Sequence, residues 1–370
     1  MPHRTPGYRE LLVLLGILVF AASLTGSFWV VFLYSVLPLA PAEIAALFGA
    51  GALVAVVVAT GMSRAATVPS RTAMIAGLLS LAGTNLAFAF LPGPPLFALF
   101  PILWGAYIPL FFLPWNVLFT SETRAHDRGA KLAGILLVSS LATMGAPFLG
   151  GVIADAWGFP ALFVLGASLL GFDAVLARTV AKGATPVRLR WNPSALGRGT
   201  TVAYAAQGGI DGVLWTAIPL ATFSFVQEKV ELGLVFSLFA LTGGVVAMYL
   251  GRWSDRIRHR WRFIALGTTF AIPLAVAVAL APNLVGFTAA NGALSATLAI
   301  APTFVNAAVV DRLEGEIGPV MLTREVLLNV SRGATSVALL CMFLLHVPVQ
   351  LAVLMIAVLL PFEALAERRR

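Results

Sequence analysis

Long apolar runs separated by short polar loops are the feature that most constrains how this chain can fold. Most runs reach the ~20 residues that a helix needs to cross ~30 Å of hydrocarbon. A hydrophobic share of 59% and a charged share of 11% also exclude an ordinary soluble domain. The sequence therefore predicts an all-α integral membrane protein with about twelve transmembrane helices, near residues 11–37, 42–62, 72–92, 95–119, 131–154, 159–180, 200–224, 231–251, 262–281, 284–309, 320–345 and 347–365.

The lysines and arginines are distributed unevenly between the loops. If both termini are cytoplasmic, the basic clusters fall on cytoplasmic loops, and only Lys229 falls in a loop on the far side. Basic residues favour the cytoplasmic side of a membrane. We therefore predict a multi-pass protein of the inner or plasma membrane with both termini in the cytoplasm. This topology also explains the net charge of +8, so the expected partner is the lipid bilayer and not nucleic acid.

A basic, proline-containing segment near the middle of the chain predicts two halves. Residues 181–198 have the composition of a linker, with six apolar runs on either side. Two loops of the first half, at residues 61–64 and 122–124, align at nearly the same offset with residues 251–254 and 311–312 of the second half. We therefore predict an N-terminal bundle at 1–180, a cytoplasmic linker at 181–198 and a C-terminal bundle at 199–370.

The densest cluster of charge, at residues 251–262, lies between two apolar runs. It contains the pattern Gly-x-x-x-Asp-Arg followed by further basic residues, carried by Gly251, Asp255, Arg256 and Arg260. This pattern resembles the loop signature of the major facilitator superfamily between helices 2 and 3 and between helices 8 and 9. An arginine, at 258, stands where that family usually has a second glycine. The equivalent loop at 61–71 lacks both the aspartate and the second glycine.

A segment of the fifth run is also similar to a motif of that superfamily. Pro147, Gly150 and Gly151 match the Gly-Pro-x-x-Gly-Gly motif of its antiporters, and Ala146 replaces one glycine. The resemblance covers essentially the whole chain. It implies two pseudo-symmetric six-helix bundles with a substrate cavity between them, lined mainly by the first, fourth, seventh and tenth helices. The fourth run lacks the arginine linked to proton coupling in the family's drug exporters, which argues against that coupling here.

The seventh run carries the most informative polar residues. Tyr204, Gln207, Asp211 and Trp215 are spaced by three, four and four residues, so they share one face of a helix. Asp211 lies about 18 Å into a ~30 Å slab. An ionisable group at this depth is costly and marks a functional site by default. The alternative is a structural aspartate that bonds to a neighbouring helix.

Polar and aromatic residues on other runs extend this candidate substrate and proton site. They are Asn291 on the tenth run, Trp104 and Tyr107 on the fourth, and Ser27 on the first. Each of them could equally serve helix packing. Arg332 lies about two turns deeper in the eleventh run than Arg324 and needs an acid or a carbonyl group as a partner. We expect it at a cytoplasmic gate with Gly251, Asp255, Arg256 and Arg260, with Asp255 or Asp311 as its partner.

These residues predict a secondary active transporter that works by alternating access. The favoured function is proton-coupled export of a small amphipathic or cationic compound. The alternatives are facilitated or proton-coupled uptake of a small metabolite, and a non-transporting membrane sensor on the same fold. We expect a monomer without cofactor or metal, because the sequence shows no nucleotide-binding loop, no metal-ligand spacing and no catalytic constellation of an enzyme.

Overall fold

The computed structural model describes residues 7–122, 128–254, 260–302, 305 and 317–367. These residues are almost entirely helical. We number the helices in chain order, and α5 and α6 share the continuous stretch Arg128–Val180. The helices are α1 Tyr8–Ser35, α2 Pro41–Ser63, α3 Ser70–Phe90, α4 Pro94–Ser121, α5 128–157, α6 159–180, α7 Arg198–Phe225, α8 Lys229–Ser254, α9 Arg260–Ala279, α10 Leu284–Leu298, α11 Ile317–Leu344 and α12 Val349–Glu363.

Nine helical stretches of the described residues are long and apolar enough to cross a membrane. One of these stretches, Gly134–Val180, contains both α5 and α6. The helix α7 is long enough to cross a membrane, but its most apolar stretch is less apolar than those of the nine. The helix α12 is apolar but short. The molecule is thus a multi-pass membrane protein, and its helices are consistent with the predicted twelve spans.

Two glycines with positive φ angles set the boundaries between neighbouring spans. Gly158 has a φ of 81° and a ψ of 166°, which ends α5 and starts α6 without an intervening loop. Gly93 has a φ of 113° and precedes the prolines that open α4. Side chains with a Cβ rarely adopt these backbone angles. Glycine therefore allows the chain to reverse direction sharply at both positions.

The two halves meet along pairs of helices that approach each other closely. The helix α5 packs against α8, and α2 packs against α11. A Cβ added at Gly49 on α2 would lie 3.0 Å from Cβ of Ser336 on α11, and one added at Gly233 on α8 would overlap the carbonyl group of Pro147 on α5. Small residues let helix backbones approach in this way.

The segment at 184–197 packs across one end of the bundle, which we call the linker end. Val68 and Val187 form an antiparallel bridge with N···O distances of 2.8 and 2.9 Å. The hydroxyl group of Thr323 on α11 donates to the carbonyl group of Asn192 at 2.8 Å. Val187 and Leu189 are buried in an apolar cluster that also contains residues of α2, α3, α4 and α11. The linker therefore contacts both halves.

Candidate functional site

A cavity of about 370 Å³ lies between the two halves. Its wall is formed by side chains of α1, α2, α4, α5, α7, α8 and α10, and none of them is charged. The lining is dominated by aromatic rings with a few small polar groups. It includes five of the predicted site residues, Ser27, Trp104, Tyr107, Trp215 and Asn291, together with Pro147 of the antiporter-like segment.

An ion pair connects the middle of α7 to the middle of α11. Nη2 of Arg332 donates to Oδ2 of Asp211 at 2.6 Å. The Asp211 side chain is 23% exposed and the Arg332 side chain 10% exposed, so the pair is largely withdrawn from solvent. Removing one partner of a buried pair leaves an uncompensated charge and costs about 3–5 kcal/mol, somewhat less for a pair that is partly exposed. The pair therefore holds the two helices in register.

Arg332 also belongs to a polar network along one face of α11. Its Nη1 donates to Oδ1 of Asn329 at 3.1 Å, and Nδ2 of Asn329 donates to Oε1 of Glu325 at 2.9 Å. Glu325 lies 3.9 Å from the guanidinium group of Arg332. The spacing of these three residues places them on one face of the helix. Asp211, Arg332, Asn329 and Glu325 thus form a continuous network, which we call the charge network.

Glycines on α7 allow this network to form across the helix interface. A Cβ added at Gly212 would lie 3.2 Å from the carbonyl oxygen of Arg332, and one added at Gly208 would overlap the backbone of Leu328. Larger residues at these positions would push α11 away from α7. The glycines beside Asp211 thus hold α11 close enough for the ion pair to form.

Trp215 joins the charge network to the cavity. The guanidinium carbon of Arg332 lies 4.3 Å from the centre of the Trp215 ring, which is a cation–π contact. On its other side, Trp215 packs edge-on against Trp104 of α4, with ring centres 5.3 Å apart. Both tryptophans line the cavity. A change at Arg332 can therefore reach the cavity wall, and through Trp104 the opposite half, by direct contact.

Several predicted residues lie elsewhere. Tyr204 is fully buried beneath the guanidinium group of Arg324, with 5.4 Å between that group and the ring centre, and it does not line the cavity. Gln207 is half-buried on the same helix and does not line the cavity either. Asp211 itself lies behind Trp215, in the charge network.

The residues predicted at the gate are only partly described. Asp255 and Arg256 lie outside the described residues. Gly251 lies in the last turn of α8, and Arg260 is the first residue of α9. Asp255 and Asp311, the expected partners of Arg332, both lie outside the described residues. The guanidinium group of Arg332 bonds to Asp211 at the middle of the spans.

The antiporter-like segment lies where the halves touch. Pro147 borders the cavity, Gly150 packs against the carbonyl group of Leu24 on α1, and Gly151 packs against the carbonyl group of Lys229 at the start of α8. A Cβ at either glycine would overlap these backbone atoms. The segment thus permits a tight contact between α5 and its neighbours.

Three polar residues of the site were not among the predicted ones: Glu325, Asn329 and Glu363. The first two could have been found from their spacing with Arg332 on an otherwise apolar run. Glu363 lies near the end of the sequence, where an acid next to several arginines gives no sign of burial. Among the described residues, no group of three or more His, Cys, Asp or Glu side chains could hold a metal ion.

Comparison with known proteins identifies the fold. No protein-family model matches the sequence, and no curated protein matches it significantly. The human organic anion transporter MFSD10 (TETRAN) superimposes with a TM-score of 0.68 at 14% identity, over 98% of this chain and 100% of that chain. The E. coli fucose:proton symporter FucP superimposes with a TM-score of 0.64 at 13% identity, over 98% of this chain and 97% of that chain.

Both of these structures are transporters of the major facilitator superfamily, and the fold of the present chain is the fold of that superfamily. The predicted all-α fold with two pseudo-symmetric bundles is confirmed. At such low identities the comparison establishes the fold alone, because one fold carries many functions.

Proposed function

We propose that this protein is a secondary active transporter that exports an amphipathic small molecule in exchange for protons, by alternating access. The observation that carries the proposal is the ion pair between Asp211 and Arg332 beside an aromatic cavity between the halves. In this fold the halves rock around a binding site near the middle of the membrane. Both members of the pair lie near the centres of their helices, so the pair occupies that depth.

The ion pair is a place where one proton changes the contacts of the site. A proton on Asp211 removes the negative charge that holds the Arg332 guanidinium group at 2.6 Å. Arg332 then depends on Asn329, Glu325 and the Trp215 ring for its remaining contacts. Because Trp215 lines the cavity, the protonation state of Asp211 acts on the substrate site through two direct contacts. This is the coupling that a proton-driven transporter requires.

The cavity lining favours an amphipathic substrate. Its aromatic rings suit an apolar surface, and its hydroxyl and amide groups, including Ser27, Tyr107 and Asn291, offer a few hydrogen bonds. The acid of this region is already neutralised by Arg332, so the described lining of the cavity has no free carboxylate to attract a strong cation. Export is supported by the antiporter-like segment, since Pro147 borders the cavity and Gly151 packs on α8.

The test is transport by purified protein in liposomes with an imposed pH gradient. A panel of fluorescent aromatic compounds of similar size, in neutral, cationic and anionic forms, would serve as probes. The wild-type protein should move amphipathic members against their concentration gradient, in the direction opposite to proton flow. Asp211→Asn should lose this accumulation but retain exchange of substrate, because the amide keeps the shape of the side chain and cannot ionise.

Asp155→Asn is the matched control, because Asp155 is an exposed acid outside the cavity lining. It should transport like the wild type. If Asp211 instead pairs with a cationic substrate, Asp211→Asn would weaken binding of the cationic probes only. Accumulation in the same direction as proton flow would refute export. Wild-type accumulation and pH dependence in Asp211→Asn would refute coupling at this residue.

A further inference from the structure

A second acid lies buried next to the charge network, at the end of the last helix. Glu363 is the final residue of α12 and is 3% exposed. Among the described residues, its Oε2 atom has no hydrogen-bond partner. An ionised carboxylate that is buried with one oxygen left without a hydrogen bond is disfavoured, whereas the neutral acid tolerates burial better. The surroundings of Glu363 are therefore those of a carboxyl group that carries a proton.

Helix packing places Glu363 between Asp211 and the linker end. The helix α12 packs against α7, and a Cβ at Gly209 would lie 2.8 Å from Cδ1 of Leu359. The two helices run in opposite directions, because α7 starts at the linker end and α12 ends there. Glu363 follows Leu359 by one turn and so lies nearer the linker end than Asp211 does.

Within the part of the chain that the structure describes, the placement of the charged side chains near Glu363 also favours its neutral form. Of the charged side chains described on α7 and α9, which pack against α12, Arg198 and Arg262 are exposed, and Asp211 is already bonded to Arg332. The only other titratable side chain described on these two helices is Tyr204, which is covered by Arg324, and Glu367 follows in the short turn Ala364–Glu367. The carboxyl end of a helix carries partial negative charge, which opposes a carboxylate placed there.

We propose that Glu363 is a second proton-binding residue, which takes the proton of Asp211 and releases it at the linker end. The inference rests on the proposed proton-coupled transport and identifies the path by which protons leave the ion pair. After Glu363 has released its own proton to water at the linker end, the O–H bond on Asp211 breaks and an O–H bond forms on Glu363. Glu363 becomes a neutral acid again, Asp211 becomes a carboxylate, and Arg332 regains its anionic partner.

Infrared spectroscopy of the purified protein tests the protonation state without any substrate. The wild-type protein at neutral pH should show the C=O stretch of a buried neutral carboxylic acid, and the band should shift in D₂O. Glu363→Gln should lose this band, and Glu363→Asp, which keeps an ionisable group, should restore a shifted one. A spectrum of Glu363→Gln identical to that of the wild type would overturn the assignment.

Transport measurements test whether the proton on Glu363 is used. Glu363→Gln should lose roughly tenfold or more in gradient-driven accumulation, while substrate exchange at equal pH persists. Asp173→Asn is the matched control, because Asp173 is also buried, has two carboxylate oxygens without a hydrogen-bond partner among the described residues, and lies on α6 in the other half. It should lose its own infrared band and keep accumulation.

The outcomes separate this inference from the proposed function. If the wild-type protein shows no accumulation driven by a pH gradient with any probe, the proposed function fails. If the wild-type protein accumulates a probe and Glu363→Gln accumulates it equally, only the role of Glu363 fails. Loss of accumulation in both Glu363→Gln and Asp173→Asn would also overturn the inference, because the effect would then follow from any buried acid.

Discussion

Arg332 contacts two different kinds of partner, and this makes its side chain hard to replace. One nitrogen bonds to Asp211, a second bonds to Asn329, and the guanidinium carbon lies 4.3 Å from the centre of the Trp215 ring. Lysine carries the same charge but has a single ammonium group and no planar face. The site therefore uses the shape of arginine as well as its charge.

We expect Arg332→Lys to separate proton binding from substrate binding. The ammonium group can still neutralise Asp211, but it cannot reach Asn329 and cover Trp215 at the same time. Binding of a fluorescent probe in detergent should lose most of its pH dependence, and the melting temperature should fall by the equivalent of about 1–3 kcal/mol. Arg178→Lys, at an exposed arginine of α6, is the control. An unchanged pH profile in Arg332→Lys would show that charge alone matters.

The sequence identified one member of the charge network by its depth but not the partner. Asp211 stands out because an acid in the middle of an apolar run is rare. Its partner lies 121 residues further along the chain on a different helix, and the spacing within one helix carries no information about contacts between helices. The same reason explains why Tyr204, which shares a face with Asp211, packs beneath Arg324 and away from the cavity.

At the scale of helices, hydropathy predicted most of the architecture. The predicted runs overlap the observed helices because only a helix satisfies every backbone polar group within the bilayer. The exception is α7, which carries Gln207, Asp211 and several glycines and whose most apolar stretch is less apolar than those of the nine candidate spans. This helix carries one member of the ion pair and borders the cavity.

The linker at 184–197 has a structure that its composition did not predict. Its buried and exposed residues alternate, with Val187 and Leu189 inside and Arg188 and Arg190 outside. This alternation is the pattern of an extended strand, and Val187 indeed pairs with Val68 in the loop between α2 and α3. The pairing partner is again remote in sequence. The linker thus joins the two halves by contacts as well as by the chain.

We expect Val187→Pro to loosen the linker end. Proline removes the amide that donates to the Val68 carbonyl group at 2.9 Å and disfavours the paired conformation. Amide hydrogen exchange should accelerate in the segments at 62–70 and 318–323, which the linker contacts. Val187→Ile keeps the amide and the apolar side chain and is the control. Equal exchange rates in both variants would mean that the bridge does not hold this end together.

On the scale of the whole molecule, contacts between the halves occur on both sides of the cavity. At the linker end, the apolar cluster includes Val187 and residues of α2 and α11. At the opposite end, Tyr34 of α1 packs edge-on against Phe223 of α7 with ring centres 5.9 Å apart, and Nζ of Lys229 donates to the carbonyl group of Ala154 at 3.0 Å. Alternating access requires that these two sets of contacts open in turn.

The orientation of the molecule in the membrane follows from its basic residues and can be tested by cysteine labelling. The only cysteine, Cys341, is first replaced by alanine. Ala66→Cys and Pro186→Cys then mark exposed positions at the linker end, and Glu228→Cys marks an exposed position at the opposite end. Because arginines and lysines crowd the linker end, that end should face the cytoplasm.

In intact cells, a membrane-impermeant maleimide should label position 228 and spare positions 66 and 186, whereas a permeant maleimide should label all three. The reverse pattern would invert the topology, and it would also place proton release from Glu363 on the outer face, which would contradict export in exchange for protons along the proposed path.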